Sequence, residues 1–120
     1  MSQNTSKPLF RLSDISENIS SILAYTRGMD ANAFYEDPKT LDAVERCLLR
    51  IAEAAVKLGN LAEEWVPGHD WAGVRGIGNV LRHEYDGVDP SVIWTVVADD
   101  LPPLLRDIES ALARLAPKSP

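Results

Sequence analysis

Between Asp37 and Ala62 the apolar residues Leu41, Val44, Leu48, Ile51, Ala55, Leu58 and Ala62 recur at alternating steps of three and four. That spacing gathers them on one stripe of an α-helix, whereas a strand would send alternate residues to opposite faces. Asp37 followed by Pro38 is a start signal, an N-cap ahead of a proline whose missing N–H costs nothing in the first turn. Val66-Pro67-Gly68 is the expected stop. A seam this regular is the spine of a helical bundle or a dimer interface. Ala54-Ala55-Val56 thins its middle, so another helix can approach closely. Arg46, Arg50, Glu53 and Lys57 read as solvated surface on its other faces.

The remaining segments supply partners for that spine. Residues 1–10 are expected to be a flexible lead, with Ser13 as N-cap of a first helix carrying Ile15, Ile19 and Ile22 and ending at Gly28. Phe34 is the expected anchor of the following loop. A helix capped by Asp70 runs to about Tyr85 or Asp86, and Asp86-Gly87-Val88 is a turn signal. Asp89-Pro90 opens another helix with Val92, Ile93, Val96 and Val97 apolar. Pro102-Pro103 should break or kink it. A last helix presents Leu104, Leu105, Ile108, Leu112 and Leu115 before a frayed tail at 117–120. The expected architecture is all-α, an antiparallel bundle of four or five helices forming a single domain over 11–116.

At 120 residues there is room for one core. A net charge of −6 argues against a protein that coats nucleic acid through broad phosphate contact. Cys47 is the single cysteine and lies in an apolar pattern, which implies a buried thiol and a reducing compartment. No stretch reaches the roughly 18 apolar residues of a membrane span, and no signal-peptide run opens the chain. A cytoplasmic protein is therefore the expectation.

Chemistry concentrates between Trp71 and Asp89, where two arginines precede His83 with no acidic residue between Trp71 and that histidine. On a helical wheel with Arg75 at the origin, Arg82 falls at about −20°, Asp86 at about 20°, Asn79 at about 40° and His83 at about 80°. Val74, Ile77, Val80 and Leu81 gather opposite and should anchor the helix. Gly76 and Gly78 each weaken it by roughly 1 kcal/mol relative to alanine, which close packing of a backbone or ligand would explain. No spacing of His, Cys and carboxylates completes a metal site, no cofactor motif is present, and no Ser-His-Asp triad is suggested. What remains is phosphate chemistry. A histidine can move protons near neutral pH, and a guanidinium can hold a phosphodiester as its charge grows. These are the groups of a metal-independent ribonuclease.

The run Asn79-Val-Leu-Arg-His-Glu-Tyr-Asp-Gly-Val-Asp89, with Ile93-Trp94 and Asp99-Asp-Leu-Pro-Pro-Leu104 after it, resembles the HepT-like family of the HEPN superfamily. Thr40–Arg46 and Ile51–Ala55 are similar to the family's second-helix pattern. The resemblance covers about residues 11 to 115. It implies a homodimeric helical bundle whose two motif helices meet in a cleft, and an endoribonuclease that is the toxin of a type II-like toxin–antitoxin module. It also implies a minimal nucleotidyltransferase antitoxin that silences the toxin by adding AMP to a motif tyrosine. On this match His83 takes the catalytic position, Tyr85 the AMP-acceptor position, and Asn79 would orient the scissile phosphate of the RNA. One position departs: the family's arginine, five residues before the histidine, is Gly78 here. Arg75 or Arg82 then supplies the guanidinium, or the chain is a degenerate member that serves as binding partner of a nucleotidyltransferase.

Overall fold

In the computed structural model, which describes residues 6–83 and 87–116, every regular element is helical. These are α1 Ser6–Tyr25, α2 Ala31–Tyr35, α3 Pro38–Leu58, α4 Leu61–Trp65, α5 Trp71–His83, α6 Pro90–Thr95 and α7 Leu101–Leu115. The start signals act as local chemistry dictates. The Asp37 carboxylate accepts from the Thr40 amide at 3.1 Å and the Thr40 hydroxyl at 2.8 Å. Asp89 does the same for Ser91, at 2.9 and 2.8 Å. Those hydrogen bonds favour the ionised caps and hold both carboxyls below their usual range.

The spine expected from the seam is α3, and it is buried on two sides. Val44, Leu48, Ile51, Ala55 and Leu58 are core residues, and Cys47, Ala52 and Ala54 are buried beside them. α1 and α5 flank it, while α7 packs on α1. Residues 11–18 of α1 lie beside 50–57 of α3. Contacts from Arg75 to Gly59, at the end of α3, and from Arg82 to Glu53 set α5 antiparallel to α3. Phe34 is fully buried, its ring centroid 5.2 Å from that of Trp94, and it pins α2 to α6. Burial pushes the Cys47 thiol up, as suits an inert core cysteine.

Three boundaries differ from those expected. α1 begins at Ser6, so Ser13 is an interior residue and residues 6–10 of the expected lead are helical. Pro8 stands in the first turn, where no intrahelical donor is needed, and Leu12 extends the buried stripe back from Ile15. α3 stops at Leu58, because Gly59 takes φ +58° and its amide closes on the Ala55 and Val56 carbonyls. Ala62 stays buried, but on the separate α4. Pro102 and Pro103 do not break the chain's helical path. A π-helical turn, Val96–Asp100, joins α6 to α7, with the Leu101 amide donating to Val96 five residues back. A widened turn accommodates prolines that lack donors of their own. No helix among the described residues is long and apolar enough to cross a membrane.

Candidate functional site

Helix α5 carries the candidate site, and several contacts hold it. The Asp70 carboxylate accepts from the Gly73 amide at 2.9 Å. Trp71 is 1% exposed, and its indole Nε1 donates to the Val66 carbonyl at 2.8 Å. Gly78 faces Ala52 so closely that a Cβ built there would lie 3.0 Å from the Ala52 Cβ. The close packing expected at Gly78 is made here, against Ala52 rather than against the Ala54-Ala55-Val56 stretch that the sequence suggested. Gly76 meets nothing within 4 Å of the same construction, so packing does not explain it.

The aliphatic side anchors α5 only in part. Val74, Ile77 and Leu81 pack on the core, whereas Val80 is exposed. The stronger anchor is Trp71, at about −40° on the wheel, beside the Arg82 edge of the polar stripe rather than among the aliphatic residues. Sequence reasoning missed it because a wheel ranks directions and cannot say where the neighbouring helix lies. With α3 on that side, the stripe divides.

Arg75 leans onto the spine. It donates to both carboxylate oxygens of Glu63, through Nη1 at 3.0 Å and through Nη2, and Nη2 also donates to the Gly59 carbonyl at 3.0 Å. Its guanidinium thereby ties α5 to the α3–α4 corner, where the Gly59 carbonyl also accepts from the Ala62 amide at 3.1 Å. The hydrogen bonds that Arg75 donates hold the Glu63 carboxyl below its ordinary value of 4.5, and the same bonds raise the guanidinium. A depressed carboxyl contributes stability that is complete above its ordinary value and is lost as pH falls through the lowered one. Glu63→Gln should therefore lower the melting temperature at pH 7, with the gap closing as the pH drops below 4.5. A gap that is constant from pH 7 to 3 would show that the ion pair contributes nothing.

Arg82 behaves differently. Its side chain is 51% exposed, with one long 3.9 Å contact to Glu53. It folds back along the helix, so that Nη1 and Nη2 each lie 3.4 Å from where a Gly78 Cβ would stand. Long helical side chains cover the turn before their own Cα, which carries this guanidinium back over residue 78. The absent side chain leaves the room it fills. Asn79 and His83 are exposed on the same helix. The structure thus places Arg82, Asn79 and His83 on open surface and separates Arg75 from them as a structural tie. Tyr85 lies outside the described residues.

Beside this face, Ile77, Val80, Leu81, Val88 and Val92 line an apolar groove of about 290 Å³ between α5 and α6. The other histidine, His69, is bound elsewhere, its Nε2 2.7 Å from Asp107 of α7. No group of three or more His, Cys, Asp and Glu suited to a metal ion occurs among the described residues.

Comparison with known proteins agrees over most of the chain. The family model described as Ribonuclease HepT-like matches residues 15–111. A protein of Thermococcus cleftensis named "Probable ribonuclease HepT" is 37% identical over 98 residues, covering 82% of this chain and 89% of that one. A protein of Methanocaldococcus jannaschii named "Putative RNase MJ1380" is 32% identical over 98 residues, covering 82% and 90%. No solved structure matches significantly.

Proposed function

The chain belongs to the ribonuclease HepT-like family, and from that premise we propose that it is a metal-independent endoribonuclease whose motif guanidinium comes from Arg82. One observation carries the assignment: the Arg82 guanidinium rests over Gly78, the place from which the family's arginine would project. Gly78 and His83 are five positions apart, about 7.5 Å along the axis. Arg82 thereby supplies a guanidinium at the point of the helix from which the family's arginine would emerge, despite its shifted position in sequence.

The chemistry then balances within the RNA itself. His83 removes the proton of a 2′-hydroxyl, whose oxygen attacks the adjacent phosphorus. The bond from phosphorus to O5′ breaks, and O5′ leaves with a proton from an imidazolium, that of the partner's His83. Arg82 stabilises the negative charge that grows on the non-bridging oxygens. Asn79 directs its amide to the same phosphate. Pairing of two chains is supported by the exposed apolar lip formed by Val80 and Val92 beside the site. Sedimentation showing only monomer would refute it.

In the same reading the protein is a toxin neutralised by a minimal nucleotidyltransferase that transfers AMP to Tyr85, two residues past the catalytic histidine. Support comes from the family and from the motif in which Tyr85 stands. Co-expression with a neighbouring nucleotidyltransferase should add the mass of AMP to Tyr85. An unmodified Tyr85 would remove this part of the proposal.

The two arginines make the site assignment testable. Arg82→Ala should lower the cleavage rate about 10² to 10³-fold, the loss typical of one preorganised charge donor. Arg75→Ala should instead lower the melting temperature, with cleavage retained at temperatures where the variant is folded. The opposite pattern would move the guanidinium to Arg75. Unchanged rates in both variants would leave a family member that binds without cleaving.

A further inference from the structure

The cations of α3, read from sequence as scattered, share one face. Arg46, Arg50, Glu53 and Lys57 fall within about 60° of one another on the helical wheel. All four are exposed. From Arg46 to Lys57 the stripe runs about 16 Å along the axis. Two grooves meet on it. One, between α1 and α3, is lined by Arg11, Asn18, Arg50 and Lys57. The other, between α3 and α5, is lined by Lys57, Val56 and Arg82. Lys57 and Glu53 belong to both, so the two depressions form one path that ends at the guanidinium assigned to the site.

This path departs from the chain's overall electrostatics. The protein carries a net charge of −6, yet Arg11, Arg50, Lys57 and Arg82 converge here against the carboxylates of Asp14 and Glu53. The Glu53 carboxylate takes only the 3.9 Å contact from Arg82, and both side chains are more than half exposed. Such a pair is weak and gives way readily to a better anion. Val56, 58% exposed, adds an apolar patch beside the cations on which a base can rest.

We propose that Arg82, Lys57, Arg50 and Arg11 form a phosphate track that holds single-stranded RNA flanking the scissile bond and feeds it toward His83. This inference rests on the ribonuclease reading and extends it, by giving the substrate a direction across α3 and α1. Glu53 acts as a placeholder for the strand and is displaced when it binds. The phosphates are contacted without base edges, so the track is indifferent to sequence.

The test uses full-length protein carrying His83→Ala and a labelled single-stranded RNA, with binding followed by fluorescence anisotropy across a salt series. Each phosphate of a single strand that the protein ceases to neutralise reduces the slope of log affinity against log salt by about 0.7. Replacing Arg50 and Lys57 together by Gln should weaken binding about tenfold and flatten the slope by about 1.4. Glu53→Gln should tighten binding several-fold. Opposite signs from neighbouring surface positions exclude a general loss of fold. If neither change moves affinity or slope while the unmodified background binds RNA, the track is wrong and the ribonuclease reading stands. If the background fails to bind RNA and the protein with His83 intact fails to cleave it, both fall together.

Discussion

His83→Ala should reduce RNA cleavage by two to four orders of magnitude, the range expected when a positioned general acid–base group is removed. The exposed face of α5 gives the substitution little to disturb in the fold. His83 is exposed and is not among the buried core residues, so its variant should melt with the parent protein. Loss of cleavage with unchanged melting separates chemistry from stability. In a growth assay the same variant should be harmless where the parent inhibits. If parent and variant cleave RNA equally, the histidine has no part in the reaction. If both are equally harmless and inactive, the protein works by binding alone.

Trp71→Ala should produce the largest change in stability, about 3 to 5 kcal/mol, as expected when a large aromatic leaves a packed core. Trp71 stands among the largest fully buried side chains and opens the helix that bears the candidate site. Its indole also supplies the partner of the Val66 carbonyl, which ties the connection from α4 to the first turn of α5. For a chain of this size the melting temperature should fall by on the order of 10 to 20 °C. Trp71→Phe keeps most of the buried area but loses that hydrogen bond, and it should cost about 1 to 2 kcal/mol. A small effect from the alanine variant in a chemical-denaturation series would mean that α5 is held mainly by Gly78 and its aliphatic side.

Much of this fold is written in local chemistry. Asp37-Pro38 and Asp89-Pro90 start helices because the cap and the fixed φ act within a few residues, and the seam of α3 identifies the core directly. The misread boundaries depend on more than local pattern. Pro8 and the residues before Ser13 look like a lead until Leu12 is seen to reach the core. Gly59 ends a helix that the apolar pattern alone would carry onward to Ala62, because its positive φ is visible only in three dimensions. At Pro102-Pro103 the expected kink is spread through a π-helical turn instead.

The site was legible in its residue types and only partly in its roles. His83, Asn79, Arg75 and Arg82 stand out as a stripe on the wheel, but the structure leaves Asn79, Arg82 and His83 exposed and turns Arg75 to Glu63 and Gly59. A wheel carries no information about Glu63 and Gly59, which come from another part of the chain and occupy Arg75. Nor does it show that Arg82 turns back over Gly78. The glycine that looks like a missing catalytic residue also lets α5 meet Ala52, and leaves space for the arginine one turn on. The stripe on α3 could have been found from its spacings of four, three and four, but mixed charge made it resemble ordinary surface.

The central claim is that Arg82 and His83 cut RNA through attack by its own 2′-hydroxyl. Incubating the purified protein with single-stranded RNA in excess chelator, and identifying the new ends, tests this most directly. Products bearing 2′,3′-cyclic phosphate and 5′-hydroxyl ends are expected, formed by the parent and lost with Arg82→Ala. Products bearing 5′-phosphate, cleavage that stops when metal is chelated, or no cleavage at all would contradict it.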